Sequence, residues 1–476
     1  MTVPLVADPK LRVIDGGRVL IGHNPVVIVR LSDAGALVVR RWLRGQPPTL
    51  RPGEQALASR LIGHGMFHSM PNRVDVGVDV EHDLDRPTPT VVIPVKDDLA
   101  GLRTTLQTLR GCAGPIIIVD DGSSSPIAQA IAGDPTLPPV TIIRHESPKG
   151  PAAARMTGFA QSTGLQILFV DAGVVIEPHQ ITQLGHWLTD PSMAAVAPRV
   201  RTPRSAYPGW LDRYERLHSP LDMGIWPALV AEGGRISYLP STCLLVQRRS
   251  FEAVGGFEPK LRFGEDVDLT LRLCAEGRVR YDPSIEVTHP ARPHLVAFAK
   301  QRLCYGSAAG PLARRHGSAV APLRLPKASS PLKLFNVLRE RLQRAEVEDA
   351  DGEAALLTAK TYWSISTDLA TGLGRTWWPI VAMMSLARWR LAKWVVAFVA
   401  LRWARRKTHL EKPADENTNS TNLPRLVEIS LNAVDDISYG TGVWLGVICS
   451  GGWKALVPSK APWPTPPPPK NHRSSH

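Results

Sequence analysis

The sequence predicts an α/β protein built on a doubly wound sheet, with a small strand-and-helix unit before it and a helical region after it. Short apolar runs alternate with helical patterns between residues 88 and 320. Helical patterns dominate the chain from residue 321 onward. We therefore expect four segments: a small domain over 1–87, a larger domain over 88–320 that would contain any catalytic site, a helical region over 321–455 and a disordered proline-rich tail over 456–476.

The composition is that of a globular protein with surplus positive charge. Of the 476 residues, 43% are hydrophobic and 21% are charged, and the formal net charge is +13. This surplus favours an anionic partner, such as a nucleic acid, an anionic lipid or a phosphorylated substrate. The five cysteines show no Cys-x-x-Cys spacing and the first residues show no signal-peptide pattern. We therefore expect reduced thiols and a cytoplasmic location.

The first domain is predicted to resemble a winged helix. LRVID and RVLIG flank a Gly16-Gly17 turn and form a hairpin, with VVIVRL as a third strand. Ser32 is placed to cap a helix that ends at Gly45, and EQALASRLIG predicts a second helix before a short strand, MFHSM. Three interpretations remain open: a packing domain, a leader-peptide or protein-binding domain, and a DNA-binding domain. The arginines form no dense stripe, so a nucleic acid partner is disfavoured.

Acidic residues follow the predicted strands of the middle region. The strands are VVIPV, IIIVD, VTIIRH, ILFVD and AAVAPRV, each followed or separated by a helical pattern. Acids follow the first, second and fourth strands, at Asp97, Asp98, Asp120, Asp121 and Asp171. In an open sheet of this type, ligands bind beyond the carboxyl ends of the strands, so these acids mark the expected site.

Several common nucleotide-binding and hydrolytic motifs are absent. No G-x-G-x-x-G follows the first strand, which argues against a dinucleotide oxidoreductase. No P-loop and no G-x-S-x-G elbow occur, which argues against a P-loop NTPase and an α/β hydrolase.

Five segments in a fixed order do carry a family signature. They are VVIPVKDD, IIIVDDGSS, RHESPKGPAAARMTGF, FVDAGVVIEP and VGGFEPKLRFGEDVDLTLRL. This ordered set resembles the family 2 glycosyltransferases, which have the GT-A fold. The resemblance implies transfer of a sugar from a nucleotide diphosphate donor to an acceptor hydroxyl, with inversion.

The resemblance also implies which residues bind the donor. Asp121 matches the position whose carboxylate accepts the N3–H of uracil, and Pro94 and Asp97 match the first-strand turn. Lys149 and Arg155 match a segment at a helix N-terminus, where backbone N–H groups and a guanidinium suit a diphosphate. Helix capping by the acid pair and a solvated basic helix start are the alternative interpretations.

The catalytic base implied by the resemblance is Asp266, with Glu265 beside it. One base is enough because the leaving nucleoside diphosphate needs no proton, whereas the attacking hydroxyl must lose one. Acids are favourable at any helix N-terminus, so simple helix stabilisation is the alternative.

Asp171 departs from the family pattern, in which a second acid follows two residues later. Here the segment is Asp-Ala-Gly. Mg²⁺ can bind through one carboxylate, waters and substrate phosphates, so Asp171 alone is predicted to hold Mg²⁺ or Mn²⁺, with His289 as a further ligand. The alternatives are metal-independent catalysis, in which Lys149 and Arg155 balance the charge, and a catalytically inactive protein.

The whole architecture resembles the glycosyltransferases of mycofactocin systems. This implies UDP-glucose as donor and premycofactocin, a peptide-derived redox cofactor, as an acceptor that receives β-1,4-linked glucose. Residues 371–407 contain no acid, eight Lys or Arg and five Trp, and no apolar run there is long enough to span a bilayer. A helix on an anionic membrane surface and a packing helix are both consistent with this pattern.

Two other functions remain open from the sequence. The basic tryptophan-rich segment favours a transferase that acts on a polyprenyl phosphate or another cell-envelope lipid. A non-catalytic DNA- or protein-binding regulator would use the first domain and the positive charge, and it would not need Asp266.

Overall fold

The computed structural model describes residues 4–23, 26–69, 88–204, 209–328, 330–387 and 423–460, together with Lys393 and Val399. Two predicted features fall largely outside these residues. They are the later part of the basic tryptophan-rich segment and the proline-rich tail beyond Lys460.

The first domain contains the predicted hairpin and both predicted helices. Its strands β2, β3 and β4 form an antiparallel sheet, and β1 pairs with β5. Ser32 caps the first helix, because its Oγ accepts a hydrogen bond from the backbone N of Gly35 at 3.2 Å. The elements are β1 (Leu5–Ala7), β2 (Arg12–Ile14), β3 (Val19–His23), β4 (Val26–Arg30), α1 (Asp33–Leu43), α2 (Pro52–Gly63) and β5 (Phe67–Ser69).

The central sheet has eight strands, in the order β11-β13-β10-β12-β9-β6-β7-β8. They are β6 (Thr90–Val95), β7 (Ile116–Asp120), β8 (Thr141–Arg144), β9 (Gln166–Val170), β10 (Met193–Arg201), β11 (Ala228–Leu229), β12 (Cys243–Gln247) and β13 (Arg278–Thr288). Strands β6 to β9 are parallel, as predicted. Strand β12 was not predicted, and it runs antiparallel between β9 and β10, so the sheet is mixed.

Helices cover both faces of this sheet and create two cores. Neighbouring residues of β6 point to opposite faces: Ile93 packs with Leu102, whereas Val92 packs with Phe169 and Phe257. Burial on both faces explains why the strands are uninterrupted apolar runs. The helices are α3 (Leu99–Thr108), α4 (Ile127–Ile131), α5 (Pro151–Gln161), α6 (Pro178–Trp187), α7 (Trp210–His218), α8 (Arg248–Ala253) and α9 (Glu265–Glu276).

The C-terminal region is helical, as predicted. It comprises α10 (Leu295–Ser307), α11 (Ala309–His316), β14 (Arg324–Leu325), α12 (Pro331–Arg344), α13 (Ala350–Arg375), α14 (Trp378–Ala387), α15 (Arg425–Ser450) and β15 (Ser459–Lys460). None of the helices in the described part of the chain combines the length and apolarity needed to cross a membrane.

The first domain packs against this helical region. Val19 and Ile21 of β3 are buried with Leu338 of α12 and Leu357 of α13. Arg12 forms a two-pronged ion pair with Glu353, including one contact of 2.7 Å. One face of the small sheet therefore packs against α12 and α13. Recognition of a peptide by this domain stays a prediction.

Helices α10 and α15 approach each other so closely that only glycine fits at their contact. A Cβ atom on Gly306 would lie 1.9 Å from the carbonyl oxygen of Tyr439, and one on Gly442 would lie 2.0 Å from that of Leu303. Any side chain at either glycine would push the helices apart. This contact presses the last helix, and with it Tyr439, against the α/β domain.

Candidate active site

A cavity of about 1130 Å³ brings most of the predicted site residues together at the carboxyl edge of the sheet. Those that line it are Pro94, Asp121, Lys149, Arg155, Asp171, Glu265 and Asp266. Asp97 and His289 are not among the lining residues. The prediction that Asp121, Asp171 and Asp266 converge on a shared cavity therefore agrees with the structure.

Asp121 anchors the turn that begins helix α5. Its Oδ1 accepts a hydrogen bond from the backbone N of Lys149 at 2.8 Å, and its Oδ2 accepts one from that of Gly150 at 2.8 Å. His145 Nδ1 lies 2.7 Å from the same Oδ1. The residue is only 4% exposed. Asp121 thus fixes the Lys149 turn at the cavity wall, and a base-binding role stays a prediction.

The neighbouring acids hold the loop rather than face the cavity. Asp120 accepts hydrogen bonds from the backbone N of Ser123 at 2.9 Å and of Ile127 at 3.2 Å, so the capping interpretation applies to this acid. Asp97 accepts one from the backbone N of Ser124 at 2.7 Å, and these hydrogen bonds lower its pKa. Asp97 has a left-handed φ of 54°. Asp97 is not among the residues that line the cavity, and its contact with the nucleotide stays a prediction.

Arg155 is a partner of Asp171 in the structure. Its Nη2 donates to Asp171 Oδ1 at 2.6 Å, and its Nη1 donates to Glu265 Oε1 at 2.9 Å. The guanidinium is 3% exposed and lies 5.3 Å from the ring centroid of Phe257. One buried cation therefore joins the acid at the end of β9 to the acid that begins α9.

This arrangement changes the role expected for Arg155. Two of the five N–H donors of the guanidinium already bind carboxylates, so a diphosphate would share this cation with two acids rather than bind it alone. Lys149, in contrast, is exposed at the start of α5. The sequence could not predict the pairing, because Arg155 and Glu265 are 110 residues apart.

Asp266 is the second residue of α9 and lines the cavity. Burial, with a contribution from the charge of Glu265, raises the pKa of Asp266 from 3.8 to about 7. Its Oδ1 accepts a hydrogen bond from the backbone N of Val267 at 2.8 Å. A carboxylate whose pKa lies near neutrality can accept a proton efficiently at physiological pH.

Helix α9 is anchored by a third acid, Asp268, which is fully buried. Its Oδ1 accepts from Arg315 Nε at 2.6 Å and lies 2.8 Å from His316 Nε2, and both partners belong to α11. Arg272 binds its other oxygen. These contacts hold the start of α9, and therefore Asp266, against the C-terminal region.

Aromatic and basic residues complete the cavity on the side of the C-terminal region. They include Tyr238, Arg302, Tyr305, Arg375 and Tyr439. No local pattern in the sequence places Tyr238, Tyr305 or Tyr439 in the site. Tyrosines in amphipathic helices carry no signal that separates a cavity wall from a core, so only the packing of α10 and α15 reveals them.

The comparisons with known proteins identify the family. The profile of "Glycosyl transferase family 2" matches residues 90–255. The chain is 30% identical over 477 aligned residues to the "Pre-mycofactocin glycosyltransferase" of Mycobacterium tuberculosis strains CDC 1551 and H37Rv. Each alignment covers 95% of this chain and 96% of the relative. This chain belongs to glycosyltransferase family 2. It is therefore a glycosyltransferase with an α/β catalytic fold.

Other similarities to this glycosyltransferase are more distant. An N-acetylglucosaminyltransferase of Rhizobium leguminosarum is 29% identical over 264 residues, which cover 50% of this chain and 59% of the relative. A solved mannosyltransferase of Pyrobaculum calidifontis, in complex with GDP-mannose and Mn²⁺, is 16% identical. The match covers 67% of this chain and 87% of the mannosyltransferase chain, with a TM-score of 0.38.

The glycosyltransferase offers a limited set of protein ligands for a divalent metal. No group of three or more His, Cys, Asp or Glu suited to a metal occurs among the residues that the structure describes. The Asp171 side chain is 29% exposed, and it affects the buried His289 electrostatically. Burial lowers the pKa of His289, although the charge of Asp171 opposes this effect. A single carboxylate and a neutral imidazole fit a metal that takes its other ligands from water and a diphosphate.

Proposed function

We propose that this glycosyltransferase transfers glucose from UDP-glucose to a hydroxyl of premycofactocin, with inversion, and extends the product as a β-1,4-linked oligosaccharide. Two observations support the proposal. Asp121, Asp171 and Asp266 line one cavity, and a relative of nearly equal length is named a pre-mycofactocin glycosyltransferase. The three acids in one cavity support the proposed type of reaction, and the name of the relative suggests the acceptor.

The donor is proposed to lie between the Lys149 turn and Asp171. The exposed Lys149 and the N-terminal turn of α5 both favour negative charge, so they suit the diphosphate. Asp121 holds this turn in place and is proposed to accept a hydrogen bond from the uracil base.

Asp171 and, less directly, His289 would hold Mg²⁺ or Mn²⁺ together with the diphosphate. When bound, such a metal offsets the negative charge that grows on the leaving group. Arg155 holds the Asp171 carboxylate in a fixed orientation, since its Nη2 donates to Oδ1 at 2.6 Å. The remaining oxygen then faces the donor side of the cavity in this proposal.

Asp266 is proposed to act as the general base. It takes the proton of the acceptor hydroxyl, and the oxygen attacks the anomeric carbon opposite the diphosphate. The bond between that carbon and the diphosphate oxygen breaks, UDP leaves with the bonding electron pair, and the anomeric configuration inverts. The proton stays on Asp266, whose pKa of about 7 allows its release to solvent before the next cycle. Glu265 is proposed to assist by holding Arg155.

A panel of donors and acceptors tests the proposal directly. Purified protein is incubated with UDP-glucose, UDP-N-acetylglucosamine or GDP-mannose, and with premycofactocin or a polyprenyl phosphate. We expect mass increments of one or more hexoses on premycofactocin with UDP-glucose alone. Transfer to the polyprenyl phosphate, with none to premycofactocin, would replace our proposal with the lipid-acceptor alternative.

We further propose that α14 lies on an anionic membrane surface. None of its described residues is buried, and Met383, Met384 and Leu386 are 62%, 58% and 90% exposed. The sequence that follows α14 adds Arg388, Arg390 and Lys393. Exposed apolar side chains beside basic residues suit the boundary between headgroups and acyl chains.

A further inference from the structure

Three tyrosines line the cavity, and we call them the tyrosine pocket: Tyr238, Tyr305 and Tyr439. Each comes from a different part of the fold. Tyr238 lies between β11 and β12, Tyr305 lies in α10, and Tyr439 lies in α15. All three side chains are half-buried, so each is packed on one side and accessible on another.

The tyrosine pocket lies close to the proposed base. Burial and then the charge of Asp266 raise the pKa of Tyr238, with smaller contributions from Tyr439 and Tyr305. Burial and the charge of Asp266 likewise raise the pKa of Tyr305 to about 12. The three tyrosines and Asp266 also line the same cavity, which places them around one space.

Tyr439 is held rigidly by its surroundings. The Arg375 guanidinium carbon lies 3.8 Å from its ring centroid, which is a close cation–π contact. Arg375 is itself fixed by Asp436, at 3.4 Å between Nη1 and Oδ1. The glycine contact between α10 and α15 fixes the backbone on the other side. A ring that cannot rotate away provides a flat binding surface with little entropy cost.

The charges beneath the pocket disfavour an anionic acceptor. Arg302 pairs with Glu215 and with Asp435, the latter at 3.2 Å. Arg375 is near both Asp435 and Asp436. Both guanidiniums are therefore already paired with carboxylates, and neither is an unpaired cation for an acceptor phosphate.

We propose that the tyrosine pocket is the acceptor subsite and that it binds an uncharged alcohol by the flat face of a ring. The inference rests on the proposed transferase function and adds the acceptor contact. Aromatic side chains stack against aryl rings and against the C–H face of pyranose rings, so the pocket can serve both a first acceptor and a glycosylated product. Helix α15 thus contributes directly to specificity although it lies far outside residues 90–255.

The decisive measurement is the ratio of sugar transfer to UDP-glucose hydrolysis. Hydrolysis uses the donor site and water, whereas transfer also needs the acceptor subsite. We expect Tyr439→Leu to raise the acceptor KM and to lower this ratio, each by about tenfold. Tyr439→Phe keeps the ring and should stay within about threefold of the parent. Trp363→Leu is the matched control, since Trp363 is 71% exposed on α13 and is not a lining residue.

A second variant and a binding assay distinguish an effect on the acceptor subsite from misfolding and from failure of the proposed reaction. Tyr238→Leu lies outside the α10–α15 contact and should also raise the acceptor KM. Saturation-transfer NMR on the full chain then compares phenyl β-glucoside, cellobiose and geranyl phosphate as probes, without any turnover. We expect the first two to bind, with the signal lost in Tyr439→Leu.

Three results would overturn the proposal. They are an unchanged transfer-to-hydrolysis ratio in both leucine variants, equal damage from Tyr439→Phe and Tyr439→Leu, and binding of geranyl phosphate in preference to phenyl β-glucoside. Absence of glucose transfer to premycofactocin by the parent protein would refute the proposed function instead. The NMR comparison would still decide the nature of the subsite.

Discussion

Arg155 and Asp171 form a partly buried ion pair, with 2.6 Å between Nη2 and Oδ1, and Asp171 lies two residues before Gly173, where the family pattern has a second acid. The other end of the same guanidinium binds Glu265. A single arginine therefore links the proposed metal acid to the helix that carries the proposed base. The ion pair with Arg155 fixes the orientation of the single acid that follows β9.

Replacement of Arg155 should cost both stability and activity. In Arg155→Met two acids lose their buried partner, so we expect the free energy of unfolding to fall by about 3–5 kcal/mol. Arg155→Lys keeps the charge but cannot donate to both acids in the same geometry, so activity should fall further than stability. Chemical denaturation and initial-rate assays measure the two effects. Lys149→Met, at an exposed position, should change stability by less than about 0.5 kcal/mol, and a similar result for Arg155→Met would contradict the prediction.

Asp266→Asn should abolish most of the transfer activity. Loss of a general base lowers the rate by about 10²- to 10⁴-fold, while binding of UDP should persist. In the parent protein, kcat/KM should rise with pH through about pH 7, because the active form of Asp266 is the carboxylate. A pH profile that stays flat from pH 5.5 to 8.5, or an active Asp266→Asn variant, would remove Asp266 from the mechanism.

The same substitution should make the fold more stable at alkaline pH. The pKa of Asp266 is higher in the folded protein than the ordinary value of 3.8, so the folded state binds the proton more tightly. This carboxyl therefore lowers stability as the pH rises from about 4 to about 7. Thermal unfolding should show a higher midpoint for Asp266→Asn than for the parent at pH 8, and equal midpoints near pH 4. A lower midpoint at pH 8 would show that the carboxylate is stabilised rather than strained.

Donor binding should depend on a divalent metal through Asp171. Titration of UDP with and without Mg²⁺ or Mn²⁺ should give a tighter Kd with metal, by about tenfold or more. Asp171→Asn keeps an oxygen for Arg155 but loses the charge, so it should abolish this difference. His289→Ala should reduce it by a smaller factor. Equal affinity in all conditions, unchanged by Asp171→Asn, would favour metal-independent catalysis.

Membrane binding can be assigned to α14 by flotation with liposomes that contain anionic lipid. We expect the parent to float, and a Met383→Ser, Met384→Ser, Leu386→Ser variant to lose most of this binding. The matched control replaces three exposed leucines of the first domain, Leu37, Leu43 and Leu50, by serine. Equal loss in both variants, or flotation that survives deletion of residues 371–407, would refute the placement.

Local patterns were sufficient for much of the fold. The apolar runs of β6, β7 and β9 and the capping serine before α1 lie where the sequence predicted them. Strand β12 was missed because CLLVQ is too short for its periodicity to distinguish a buried strand from a buried helical segment. Its antiparallel direction depends on strand partners that no local pattern specifies.

The candidate site was predictable wherever a short segment carries the chemistry. Asp121, Asp171 and Asp266 each lie at a strand end or a helix start, where the topology of the sheet directs them to one cavity. The sequence did not show that the Asp97 carboxylate binds the backbone N of Ser124, and the predicted contact of Asp97 with the nucleotide stays a prediction.

The sequence by itself determined the strand and helix pattern, the family and the three acids at the edge of the sheet. Those features depend on residues that are near each other along the chain or on the rules of a parallel sheet. Only the tertiary structure decided that Arg155 joins Asp171 to Glu265 and that Tyr439 reaches the cavity from α15. The contacts of Arg155 with Glu265 and of Gly306 with Tyr439 join residues more than a hundred positions apart, and they form only when the packing of the helices brings those segments together.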